Sequence, residues 1–238
     1  MSVATKTVTA PPSFSRAGVL WASTVGKKAL MALTGILLSL FVLGHLLGNL
    51  QLYFGRDSTG AYLINKYAEF LHHNKPLLYG TRTVLLVAVL IHVVAAFQLQ
   101  LGKGAARPIE YHQKESVNST VSSRYMFWTG VIIFFFVLYH LAHFTLGWTG
   151  VPDFKEGDVF HNVTAGFRSG IAPLLYVIGM IGLGLHLRHG LYSTFQSLGA
   201  GNPAVSQWAL KWAAVVATVI ALVNLSFPLA VLAGLVKG

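Results

Sequence analysis

The stretch ALMALTGILLSLFVLGHLLGNLQLY, residues 29–53, contains no Asp, Glu, Lys or Arg and a single histidine, His45. At about 1.5 Å of rise per residue it is long enough, as a helix, to cross a hydrocarbon core about 30 Å thick. Four further apolar stretches of similar length follow at 77–101, 125–148, 171–195 and 206–236. Backbone polar groups in lipid must pair within each span, so the five stretches predict an all-α integral membrane protein, a five-transmembrane-helix bundle. Composition agrees: 54% of the residues are hydrophobic, 10% are charged, and the mean hydropathy is +0.62.

The segments between the spans carry turn and charge signals: 54–76 with Arg56, Asp57 and Pro76, then 102–124, 149–170 with Pro152 and Asp153, and 196–205 with Gly199, Gly201 and Pro203. No soluble domain is expected, and residues 25–238 form one five-helix membrane domain. Residues 1–24, with Pro11–Pro12 and no compact apolar run before a cleavage site, read as a retained tail on the cytoplasmic side. With the amino terminus inside, ten basic residues collect on that face (Lys6, Arg16, Lys27, Lys28, Lys103, Arg107, Lys114, Arg124, Arg188 and Lys211) against seven outside. The 17 Lys and Arg spread through every loop, so the net charge of +10 suits anionic lipid better than nucleic acid. Trp21, Tyr53, Trp128, Trp148 and Trp208 fit an interfacial aromatic belt.

The chain has no cysteine, which excludes thiolate-bound iron–sulfur clusters, disulfides and Cys-based zinc sites on this polypeptide. Metal chemistry must run through histidine or carboxylate. Ten histidines are present, and the first four spans each carry one near a matched depth: His45, His92, His140 and His186. His45 comes 17 residues after Lys28 and His140 comes 16 after Arg124, about 25 Å in from the inner face. His92 and His186 each come 16 residues after Pro76 and Gly170, about 24 Å in from the outer face. Two pairs of imidazoles, each drawn from two helices at one depth, form the arrangement that bis-histidine haem ligation requires. The two levels would lie roughly 15–20 Å apart. His143 and His189 follow two of these residues by three positions and compete for the same roles, whereas His72, His73, His112 and His161 fall in loops.

Thr34–Leu46 (TGILLSLFVLGHL) and Thr129–Leu141 (TGVIIFFFVLYHL) align with the Thr-Gly pair and the histidine in register, so the first and third spans read as internal equivalents. Gly35, Gly130, Gly44, Gly48, Gly179, Gly182 and Gly184 can either clear room for a porphyrin or serve as helix-packing contacts. Arg82, Arg168, Lys28 and Arg188 can meet haem propionates or snorkel to the headgroups. Quinone contacts are sought among Glu69, His143 and Trp148 at one face and Ser39, Ser122 and Arg124 at the other.

The runs KKALMALTGILLSLFVLGHLLGNL (27–50), RTVLLVAVLIH (82–92) and GLGLHLRHGLYSTFQSLG (182–199) resemble the cytochrome b membrane anchor of succinate dehydrogenases and fumarate reductases, in the class with one five-helix polypeptide and two haems. The resemblance covers about residues 20–236. It implies two b haems, with His92 and His186 as axial ligands of the haem proximal to the soluble subunits and His45 and His140 as ligands of the distal one. It also implies a flavoprotein partner with FAD, an iron–sulfur partner on the cytoplasmic side, a membrane quinone (menaquinone) as substrate, and a bacterial cell membrane location. Some diheme fumarate reductases in this class carry a glutamate two residues before the fourth-span ligand; here that position is Gly184, and no Asp or Glu lies in any span. That departure favours succinate oxidation. The alternatives are the cytochrome b subunit of a hydrogenase or formate dehydrogenase and, from another class, a haem-free transporter or channel.

Overall fold

The structure is a computed structural model that describes residues 18, 21–105, 124–199 and 202–236. Most of the tail 1–24 lies outside the described residues, as do Arg107, His112, Lys114 and Ser122.

Helix α1 (Thr24–Asn49) starts at Ser23, whose hydroxyl accepts from the Gly26 N–H at 2.9 Å, and tightens into a 3-10 turn over Leu50–Tyr53. It is followed by α2 (Leu63–His73), α3 (Lys75–Ala105), α4 (Met126–His140), α5 (Val159–Arg168), α6 (Ala172–Ser197) and α7 (Pro203–Leu232). Helix α7 opens with Asn202 as N-cap and Pro203 in its first turn, the order expected of a residue that cannot donate an N–H. Five helices are long and apolar enough to cross a membrane, over Thr24–Tyr53, Lys75–Gly102, Met126–Thr145, Ala172–Ser197 and Val205–Leu232. The chain is therefore a multi-pass membrane protein, and its large outward side chains, such as Leu40, Leu86, Phe135 and Leu222, form the surface that lipid covers.

Helix α1 packs on α3, α4 on α6, and α1 on α6; no comparable backbone contact joins α1 to α4 or α3 to α6 among the described residues. With neighbours in the order α3, α1, α6, α4, these last two pairs are the diagonals of a four-helix group. Helix α7 lies outside that group, laid along α6 through Ala209, Ala213 and Ala217, one turn apart and fully buried, where small side chains let the backbones approach.

Two differences from the sequence expectation lie at the end of the bundle opposite the amino terminus, hereafter the far side. The connectors 54–76 and 149–170 are not plain loops: each holds a short helix, α2 and α5, and the two interlock as a cap. Tyr62 stacks on Phe160 at 3.5 Å, Asn65 donates to the Asp158 carboxylate at 2.9 Å, and the Asn65 carbonyl accepts from the Phe160 N–H at 2.8 Å. The third span also stops short of 148. It passes from α-helix into a π-turn at Leu141–Thr145, and Gly147 and Gly150, both in the left-handed region (φ 61° and 72°), turn the chain toward the cap.

Candidate cofactor site

The diagonals of the four-helix group are bridged by histidines. His92 on α3 faces His186 on α6 with ring centres 6.3 Å apart, and His45 on α1 faces His140 on α4 at 5.8 Å. The depth argument paired these residues in the same way. The His92/His186 pair lies nearer the amino-terminal face, here the N-side, and the His45/His140 pair lies nearer the cap.

At the N-side level the two halves of the repeat make the same contacts. Thr34 Oγ1 stands 3.1 Å from His92 Nδ1, and Thr129 Oγ1 stands 3.3 Å from His186 Nδ1. The neighbouring glycines lie under the rings: a Cβ on Gly35 would sit 3.5 Å from His92 Cε1, and one on Gly130 would sit 3.4 Å from His186 Cε1. The Thr-Gly register visible in the sequence is therefore a pair of imidazole cradles, each on the span adjacent to its histidine.

At the far-side level, the Tyr176 hydroxyl lies between His140 Nδ1, at 2.9 Å, and His143 Nδ1, at 3.2 Å. Phe41 stacks on His45 at 5.5 Å, and beside it an apolar groove of about 450 Å³ opens between α1 and α3, lined by Leu37, Phe41, Leu77, Gly80 and Thr81 among others. His143 itself is fully enclosed. Its Nε2 has no hydrogen-bond partner. A Cβ on Gly166 or Gly150 would lie 2.9 or 3.1 Å from that nitrogen, so both glycines let the chain close over it. The four paired histidines, in contrast, each keep part of the ring surface open.

Two imidazoles bound through nitrogen to one metal, at about 2 Å each, place their ring centres about 6 Å apart when they face one another. Both pairs meet that spacing. At the N-side, and for His140, the Nδ1 atoms are already engaged by hydroxyls, which leaves Nε2 as the nitrogen available to a metal.

A family comparison bears on the same chain: the succinate dehydrogenase/fumarate reductase transmembrane subunit family matches residues 103–225. The chain belongs to that family. The match includes His140, Tyr176 and His186, while His45 and His92 precede it and are tied to it by the repeat and by the cross-diagonal contacts. No curated protein and no solved structure matches the chain. As a succinate dehydrogenase/fumarate reductase transmembrane subunit, it is a non-catalytic membrane component of an oxidoreductase complex and associates with the other subunits of that complex.

The remaining sequence candidates separate by environment. Arg168 donates to the Val236 carbonyl at 3.3 Å and so ties α5 to the end of the chain, whereas Arg82 lies over the Tyr79 ring at 5.9 Å. Lys28 and Arg188 are exposed at the N-side. Glu69 and Trp148 are exposed near the cap, and Ser39 is tied to its own helix through the Gly35 carbonyl. Gly48, Gly179, Gly182 and Gly184 are filled by neighbours: a Cβ there would meet Tyr67 at 2.5 Å, Phe136 at 2.4 Å, Ile132 at 3.0 Å and Ala221 at 3.0 Å. Those four are helix-packing positions. Sequence reasoning missed Tyr176 and used Thr34 and Thr129 only as alignment marks. A polar tyrosine early in the fourth span, at the depth of His140, was the available signal for the first.

Proposed function

We propose that this chain is the cytochrome b anchor of a succinate:quinone oxidoreductase, holding two b haems between opposed histidines. His92 and His186 would hold the haem at the N-side level, proximal to the soluble subunits, and His45 and His140 would hold the one at the far-side level. The observation that carries this reading is the pair of imidazole bridges across the two helix diagonals, at the spacing a shared metal requires. When bound, each haem supplies a one-electron carrier within the bilayer.

The chain's own residues supply ligands and their setting. Thr34, Thr129 and Tyr176 orient three of the four imidazoles, and the aromatic and aliphatic walls around them exclude water. Arg82, Arg168, Lys28 and Arg188 are the cations assigned to propionates. In this reading succinate is oxidised on a flavoprotein with FAD, an iron–sulfur subunit docks on the cytoplasmic N-side, and a membrane quinone, menaquinone, receives the electrons. The amino terminus then lies in the cytoplasm of a bacterial cell. Every described Asp and Glu lies outside the spans, which supports succinate oxidation over a carboxylate-linked transmembrane proton route.

Purified complex should contain two protohaems per anchor chain and show a b-type α band in reduced-minus-oxidised spectra. His45→Ala and His140→Ala should remove one haem, and His92→Ala and His186→Ala the other. A preparation without protohaem, or losses that cross these pairs, would overturn the assignment; the first result is the one a haem-free transporter gives.

A further inference from the structure

The two N-side cradles obey a proton count that the ligand assignment alone does not supply. A threonine hydroxyl has one proton and two lone pairs. Thr34 Oγ1 lies 2.7 Å from the Leu30 carbonyl and 3.2 Å from that of Met31, and Thr129 Oγ1 lies 2.9 Å from the Met126 carbonyl. Carbonyl oxygens only accept, so both hydroxyl protons are committed to the threonine's own helix, and the oxygen's free lone pair faces the histidine across the helix interface. A contact between that lone pair and an imidazole nitrogen is a hydrogen bond only if the nitrogen carries the proton.

We propose that Thr34 and Thr129 are positioning residues for the N-side haem: each accepts the Nδ1 proton of the ligand on the neighbouring span and so fixes the tautomer whose Nε2 lone pair is free for iron. The inference rests on the ligand assignment above. It assigns one function to both copies of the repeat's Thr-Gly pair: the hydroxyl holds the ring's proton, and the glycine lets the ring lie against the helix. An acceptor on the far nitrogen also raises the basicity of a metal-bound imidazole, which stabilises the oxidised metal. Far-side His140 and His45 make no contact with either threonine, so the effect is confined to one haem.

The test uses the full complex in membranes or detergent, with Thr34→Val and Thr129→Val compared with Thr34→Ser and Thr129→Ser. Redox titration of both haems and haem content per chain are measured for each variant. The valine variants should move the midpoint potential of the N-side haem upward, or release that haem, with the far-side haem unchanged; the serine variants should keep the parental value. Valine variants with an unaltered N-side potential, or an equal shift in both haems, would overturn the proposal. So would serine variants that behave as the valine variants do, because packing by the methyl group would then be the cause. If the parental complex holds no haem, the ligand assignment has failed instead, and the spectrum of the unmutated protein reveals that first.

Discussion

Tyr176 has a single hydroxyl proton and two imidazole nitrogens within reach. If His140 binds iron through Nε2, its Nδ1–H donates to the tyrosine oxygen, and the tyrosine O–H donates to His143 Nδ1. His143 is then left protonated at an Nε2 that Gly150 and Gly166 seal off. The consequence separates two histidines that stand three residues apart: His143→Ala should retain the far-side haem, His140→Ala should lose it, and Tyr176→Phe should retain it with a displaced potential. Haem content and redox titration check all three. Spacing left His140 and His143 open as rivals because both fall on one helical face. Burial distinguishes them, and it comes from glycines on the loop after the third span and on α5, long-range contacts that a periodicity does not record. Spacing left His186 and His189 open in the same way, and the structure sets Thr129 beside His186.

The cap formed by α2 and α5 depends on Asp158, the N-cap of α5, which accepts from the His161 N–H at 3.0 Å and from Asn65. Partial burial pushes its carboxyl up, but the bonds from His161 and Asn65, aided by the nearby His161 and Lys155 charges, outweigh that and hold it below the ordinary value. Asp57, in the turn before α2, is also held low, chiefly by Lys66 and then by Thr59. A carboxylate with a lowered folded value contributes stability that is complete above the unfolded value of about 3.9 and fades as the pH falls through the folded one. The cap should therefore loosen on acidification below about pH 4, seen as greater protease access to 54–76 and 149–170 while the spans stay protected. At neutral pH, Asp158→Ala should cost about 1 kcal/mol of local stability, read as faster hydrogen exchange in the first turn of α5. The five spans were legible within a few residues because hydropathy and length decide them. The cap helices were not, since each is only about three turns long and its few buried apolar side chains, Ile64 on α2 and Phe160 and Phe167 on α5, are set among turn and charge signals.

Across the whole molecule, four spans hold the four paired histidines, and the fifth span, α7, buttresses them. Ala213 on α7 is fully buried against its neighbours. Ala213→Leu should overpack that seam at about 1–3 kcal/mol, lowering the thermal midpoint of the detergent-solubilised complex while leaving the haem content per chain at the parental value. Rise per residue was enough to propose two levels, but which helices form the diagonals depends on side-chain fit, as where Phe136 of α4 lies against Gly179 of α6. Each level draws one imidazole from the first two spans and one from the next two. A ribosome that has delivered only the first hairpin to the bilayer has thus made half of each grip and a whole grip for neither. If these pairs hold the cofactors, capture must wait until the second hairpin arrives, and a lone hairpin would need a twin to close the same clasps.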